Sequence, residues 1–421
     1  MSIEACRRRK TCRLCNSSKL VLVLELKPTP LANAFVKNPS ESEHQNCFPL
    51  DVFFCENCEH VQLLDVVDPS ILFKNYVYVS GTSPSFIKHF EEYASSIIDR
   101  FSLNLESVVI DIGSNDGTLL SAFQKKGMRG LGVDPALEIA ARATNSGIET
   151  IPDFFSVDLA KMILADRGKV AVVTANNVFA HADDLRGIVD GIRILLAPNG
   201  VFVFEVSYLA DIIKNNLFDT IYHEHLAYHS VKPLKKFFLE KGLQLFSVEK
   251  VASHGGSIRG MVGLANGQHI SDGSVDSIIA EEEIAGLNRS ETYRGFGKNI
   301  DVLGQQLKTI IGNIKEEGKT LAGFGAPAKA TTLMYNFGIG QKEIDFIVDD
   351  SPLKQGLYSP GTHIPVLPTN AIYELRPDYV IILAWNFAKQ IIEKHSSFLD
   401  GGGCFIVPLP EIKIFKMSVQ P

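Results

Sequence analysis

A chain of 421 residues with 45% apolar and 21% charged side chains has an ordinary soluble composition and is long enough for two or three domains, each with its own core. Its formal charge of −7 argues against broad binding along a phosphate backbone, so no nucleic-acid partner is expected despite the short basic run RRRKTCR. No apolar run reaches the roughly 18 residues that cross a bilayer, and MSIEACRRRK has no apolar stretch behind its charges. A cytoplasmic protein with no membrane partner, acting as a monomer, is the expectation.

Residues 1–80 carry Cys12-x-x-Cys15 and Cys55-x-x-Cys58, separated by the strand-like VLVLEL and a loop rich in Pro, Asn and Ser. Two such knuckles can wrap a tetrahedral Zn²⁺ with four thiolates, a closed shell that leaves no position for substrate. A redox dithiol is the competing reading. Cys6, Cys47 and Cys404 stand outside the pattern.

The second domain is expected over 81–250. Ser83 as N-cap, Pro84 in the first turn and Phe86, Phe90, Tyr93, Ile97 and Phe101 at steps of three or four predict a helix over 83–101. Strand-like runs follow at 107–113, 130–135, 170–176 and 201–207, alternating with helical patterns, which predicts a parallel doubly wound sheet. The turn after the first strand reads Asp111-Ile-Gly113-Ser-Asn115-Asp116-Gly117. It is not G-x-G-x-x-G, and its side chains would crowd a pyrophosphate that needs bare amides. Asp134, ending the second strand, could accept ribose hydroxyls, Asp153 could meet an adenine amine, and Phe154 or Phe155 could lie against the ring. A cofactor with a ribose, a cationic tail and no phosphate fits, namely S-adenosylmethionine; plain strand-end turns are the alternative.

The stretch YHEHLAYHS, 222–230, holds three of the eleven histidines. A zinc-protease H-E-x-x-H would need its second histidine at Ala227, so that reading fails. What remains is either an acid/base cluster or a polar loop with solvated histidines. Beyond it, residues 251–421 predict a helical region over about 279–317 and four more strands, in TLAGFGAPAK, EIDFIVDD, DYVIILAWN and CFIVPLP, a second α/β unit. Within it Gly323-Phe-Gly325-Ala-Pro327-Ala follows a strand. Pro327 removes one donor from that turn and Lys329 could reach a phosphate, so it reads as an anion- or nucleotide-binding turn or as a structural helix start.

Taken together, the four-cysteine module, DIGSNDGTLL, GVDP, ANNVFAHADDL, FDTIYHEHLAYHS, SHGGSIRG, GFGAPAKATTLMYN, VDDSPLKQGLYSPGTHIPV and LAWNFA resemble, end to end, the nucleotide-sugar C-3'-methyltransferase family. The resemblance implies a zinc-binding module, a central Rossmann-like methyltransferase domain and a second Rossmann-like domain that binds the nucleotide sugar. It implies transfer of a methyl group from S-adenosylmethionine to C-3 of a dTDP- or GDP-linked 4-keto-6-deoxyhexose. By the same resemblance His225 is the base, Glu224 its partner, Tyr222 the donor to the keto oxygen, and His181 faces the same cavity. Asp111, Gly113, Asn115, Gly117, Asp134, Asp153 and Asn176 line the cofactor, while Tyr76, Tyr78, His254, Gly255, Arg259 and Lys329 meet the substrate. An NAD-dependent sugar oxidoreductase and a catalytically silent zinc-module binding protein are the alternatives.

Overall fold

Leu20–Leu24 (β1), Val52–Cys55 (β2) and Val61–Leu63 (β3) form an antiparallel meander, with Cys55-x-x-Cys58 at the β2–β3 turn and Cys12-x-x-Cys15 in a turn before β1. The computed structural model describes residues 5–38, 45–73, 81 and 84–417. The helix expected over 83–101 is Pro84–Phe101 (α1), with Phe90, Tyr93 and Ile97 buried as their spacing requires.

The central sheet has seven strands: Val108–Ile112 (β4), Arg129–Val133 (β5), Thr150–Ile151 (β6), Val170–Asn176 (β7), Leu196–Ser207 (β8), Leu243–Val251 (β10) and Ser257–Leu264 (β11). Helix Thr118–Lys125 (α2) follows β4. The spatial order is β10-β11-β8-β7-β4-β5-β6, with β4 to β8 parallel and β11 antiparallel to both of its neighbours. Interior strands covered on both faces need continuous apolar runs, which VVIDI and VFVFEV supply. Strand β11 takes this sheet past the boundary expected at 250, because its edge pairs with β8 and β10 rather than with anything C-terminal. The order reverses between β4 and β7, and that crevice at the carboxyl ends of the strands is where such folds hold ligands.

Two residues between these elements, Ala227–Tyr228 (β9), leave the central unit and pair with β3 of the cysteine module. Further on, the helical region expected as one stretch is two helices, Ser274–Ile284 (α3) and Ser290–Glu316 (α4), because Gly286 takes a left-handed φ of 75° and breaks the first. The C-terminal sheet contains Leu321–Phe324 (β12), Ile347–Val348 (β13), Val366–Leu367 (β14), Tyr379–Ile382 (β15), Cys404–Val407 (β16) and Lys413–Phe415 (β17), with helix Ala330–Phe337 (α5) after β12. Its order, β14-β13-β12-β15-β16-β17, reverses between β12 and β15 in the same way, and only β17 is antiparallel. One apolar core runs from Val23, Leu24 and Leu50 of the cysteine module through Leu217, Phe218 and Ile221 to β12 and β15, so the parts share burial instead of merely touching.

Candidate active site

The reversal in the central sheet gathers the residues expected around the cofactor. Asp111 closes β4, Asp134 follows β5, Asp153 follows β6 and Asn176 closes β7, all at the carboxyl edge of adjacent parallel strands. Gly113 has φ 70° and a Cβ there would strike Val178 at 2.3 Å; Gly117 has φ 77° and would meet Ile148 at 2.7 Å. Only glycine fits either position, which explains the turn. Asp134 accepts the amides of Asn115 at 2.8 Å and Ala136 at 2.9 Å, which pins the loop to the second strand. Burial drives the Asp111 carboxyl up to about 7, with the Thr174 hydroxyl at 2.6 Å opposing and Asp134 adding to the rise. Asp153 is exposed and Phe154 half-exposed beside it. The acids of this crevice, with no cation among the residues named, suit a positively charged ligand without phosphate.

Segment 217–230 is held by all three parts of the molecule. The cysteine module pairs β3 with β9 and gives the Leu63 amide to the Leu226 carbonyl at 3.0 Å. The central unit offers the Ala180 carbonyl to the amides of Leu226 and Ala227 at 3.0 and 3.1 Å. From the C-terminal unit, the Thr332 hydroxyl donates to the Ile221 carbonyl at 2.8 Å. Within this frame 222–225 is a tight turn, not a helix, and its histidines diverge. His223 is buried against the Phe48 carbonyl at 3.2 Å, and burial pushes it down to about 4. His229 is fully buried between His60 and Phe179, at about 3 for the same reason. These two are core histidines. His225 differs: with His181 it lines a small cavity whose wall also includes Asn177, Ser207 and Tyr228.

His225 Nδ1 lies 2.7 Å from the Thr220 carbonyl, so Nδ1 carries the proton and Nε2 is the basic nitrogen. The Tyr222 ring packs on it at 4.1 Å between centroids and the His181 ring stacks at 5.1 Å. Burial and the neighbouring His225 keep His181 well below the usual histidine range. Glu224 is buried and accepts the Asn33 amide at 3.0 Å. The four residues expected to carry the chemistry therefore come from one turn and the loop after β7.

The expected substrate set is rearranged. Tyr76 and Tyr78 lie outside the described residues, as does the side chain of His254. Arg259 is not available to a phosphate: it sits on β11 with only 9% of its side chain exposed, bonded to Glu205 at 2.9 and 3.1 Å and to Glu249 at 2.9 Å, over the Tyr93 ring. An arginine alternating on a strand that faces helix α1 needed an internal counter-ion, and Glu205 supplies it. Lys329 sits 3.8 Å above the Trp385 ring with Asp219 offsetting its charge, and burial lowers its pKa. Gly255, φ 93°, is packed against Leu217 and the same Trp385, so Gly255 and Lys329 both adjoin that ring.

The turn expected at Gly323-Phe-Gly325 has a partner that was not among the residues expected from the sequence, Asp349. Gly325, φ 84°, gives its amide to Val348 at 2.7 Å, as Gly113 gives its own to Val133 at 2.7 Å. Asp349 accepts the amides of Ala326 at 2.7 Å and Ser351 at 2.8 Å, repeating what Asp134 does with Asn115 and Ala136. Lys354, 3.6 Å from Asp349 and bonded to the Ala326 carbonyl at 2.9 Å, has no counterpart in the central crevice among the described residues. The shared signal, a glycine after one apolar strand and an aspartate after the next, is legible in IDIG/GVD and GFG/IVDD once both are known to be strands.

Cys12, Cys15, Cys55 and Cys58 bring their sulfurs within 4.8 Å of one another, with Cys12–Cys58 and Cys15–Cys55 at 3.6 Å. Four thiolates about 2.3 Å from a tetrahedral Zn²⁺ would stand roughly 3.8 Å apart, so the set fits that ion. Cys12 and Cys55 are fully buried, which closes the shell to substrate.

Three family models match in order along the chain: one described as a zinc binding domain over residues 12–73, a methyltransferase domain over 86–248 and a C-methyltransferase C-terminal domain over 252–410. The C-methyltransferase NovU of Streptomyces niveus is 36% identical over 405 residues, covering 96% of each chain. Among solved structures, an S-adenosylmethionine-dependent methyltransferase from Clostridium acetobutylicum is 14% identical at a TM-score of 0.35, covering 43% of this chain and 92% of its own. The CcbJ methyltransferase from Streptomyces caelestis is 14% identical at 0.34, covering 42% and 89%, and neither likeness is strong enough to bear on the reaction. The chain belongs to the C-methyltransferase family and is an S-adenosylmethionine-dependent methyltransferase with a cysteine-rich, zinc-binding type of N-terminal module.

Proposed function

We propose that the enzyme methylates C-3 of a nucleotide-linked 4-keto-6-deoxyhexose through an enolate. The observation that carries this reading is the His225 tautomer: Nδ1–H is given to the Thr220 carbonyl, which leaves Nε2 as the basic nitrogen of a residue that lines a small cavity beside a tyrosine, equipment suited to removing a proton from carbon next to a ketone. Asp111, Gly113, Asn115, Gly117, Asp134, Asp153 and Asn176 would hold S-adenosylmethionine, which when bound would supply an electrophilic methyl group on a sulfonium. His225 Nε2 takes the C-3 proton and becomes imidazolium, and the electron pair delocalises onto the C-4 oxygen, toward which Tyr222 donates. Carbon 3 of the enolate would then bond to the methyl group, the sulfur–methyl bond breaking with its electrons left on sulfur. Glu224, fixed by Asn33, orients the turn and offers negative charge to the imidazolium. His181, kept neutral, packs the base without competing for its proton.

In this reading the C-terminal unit holds the nucleotide, with Asp349 for ribose and Lys354 for phosphate, while Lys329 and the Gly255 backbone shape the wall between the units. Cys12, Cys15, Cys55 and Cys58 would hold Zn²⁺, which would brace β3 and through it β9 and the turn before it. Incubation with dTDP- and GDP-linked 4-keto-6-deoxyhexoses in deuterated water, with and without S-adenosylmethionine, tests the proposal by mass. A methyl gain at C-3 is expected from one nucleotide; neither methylation nor C-3 exchange with either would sink it.

A further inference from the structure

Asp219 lies in the 3₁₀ turn Phe218–Thr220, has no solvent exposure, and accepts the Trp385 indole N–H at 2.6 Å. The next carbonyl, Thr220, accepts His225 Nδ1–H at 2.7 Å. The one after it, Ile221, accepts the Thr332 hydroxyl at 2.8 Å. Three consecutive residues are thus tied twice to the C-terminal unit and once to the imidazole. Trp385 itself is placed with little freedom: it follows β15 at the strand reversal, one face lies under Lys329 Nζ, and Gly255 meets it where a Cβ would stand 3.3 Å away.

We propose that Trp385 is a positioning residue for His225: its indole N–H, assisted by the Thr332 hydroxyl, holds Asp219–Ile221 so that the Thr220 carbonyl keeps the imidazole protonated on Nδ1 and basic on Nε2. The link reaches from the C-terminal unit, where the nucleotide is placed above, to the turn that carries the base. The backbone amides of Asp219 and Thr220 and the charge of Lys329 also favour this carboxylate, so the indole N–H is what ties it to the C-terminal unit; without that tie the turn can shift and carry the adjoining Thr220 peptide with it. Its catalytic consequence rests on His225 being the base; its structural consequence does not.

Trp385→Phe keeps an aromatic ring under Lys329 and removes only the donor. Histidine-selective nitrogen NMR, with the His225 signals assigned through His225→Asn, reads the tautomer directly. In the variant the Nδ1–H form is expected to give way to a mixture, and kcat to fall about ten- to a hundredfold while S-adenosylmethionine affinity is kept. Thr332→Val should move both readouts the same way by less, and it carries the test if the tryptophan variant does not fold. An unchanged tautomer signal, or a loss of kcat that comes with an equal loss of cofactor affinity, overturns the proposal. Normal turnover by His225→Asn would remove the base assignment instead, leaving the tautomer result to stand on its own.

Discussion

The imidazoles of His181 and His225 stack 5.1 Å apart with their planes 22° from parallel. Two imidazolium ions at that separation would repel in a buried site, and His181 is the one held well below the usual range. His181 is therefore kept neutral beside the imidazole assigned as the base. Replacing His225 by Asn removes the acceptor and keeps a polar group of similar reach. Turnover is expected to fall about 10²–10⁴-fold with S-adenosylmethionine binding intact, measured by single-turnover methyl transfer beside calorimetric titration of the cofactor.

Cofactor affinity should rise with pH. The Asp111 carboxyl is raised to about 7 by burial, so below that pH it is largely neutral and above it carries charge. A cationic ligand prefers the ionised form, so binding releases a proton and tightens as pH passes upward through about 7. Asp111→Asn should flatten this dependence in titrations across that range. Folding has the opposite sign: the unfolded carboxyl ionises near 3.8, so the wild type loses stability between that value and about 7 as pH rises, and the Asn variant does not.

Asp134→Ala removes the acceptor shared by the Asn115 and Ala136 amides, and the proposed ribose contact with it. A charged hydrogen bond is worth about 1.5–3 kcal/mol, so the dissociation constant for S-adenosylhomocysteine should rise roughly ten- to a hundredfold. Unchanged affinity would place the ribose elsewhere.

Arg259→Met should behave as a stability mutant, not a substrate-binding one. It leaves Glu205 buried without its guanidinium, a loss of about 3–5 kcal/mol, while a nucleotide ligand should bind the folded fraction unchanged. The Glu205 carboxyl is raised by burial but brought down further by His89, Arg259 and Ser253, to about 2. Its contribution is complete above the ordinary 4.5 and is lost as pH falls through about 2. Thermal melts of both proteins over acidic buffers should converge at the low end.

Cys58→Ser or chelation should release bound zinc and slow turnover more than it weakens cofactor binding. The cysteines do not line the crevice at Asp111, yet β3 of their module pairs directly with β9, three residues after Glu224. Metal content, cofactor titration and kcat on one preparation separate the effects; equal losses in all three would mean general unfolding.

Sequence alone determined the chemistry-bearing turns and the order of the parts. The cysteine spacing, the helix over 84–101, the buried strands of both sheets and the acids after them follow from local periodicity and from glycines that tolerate no Cβ, all properties of short segments. Tertiary structure decided which polar groups are spoken for. Arg259 and His229 look as available in the string as Lys354 and His225, but a buried charge takes whichever partner lies across the fold, and Glu205 is 54 residues away from Arg259. The same holds for Trp385, which is 166 residues from Asp219 and meets it because Leu217, Phe218 and Ile221 around that turn pack into the same core as Trp385. Long-range pairing of this kind is set by how whole layers pack, and no local pattern records it.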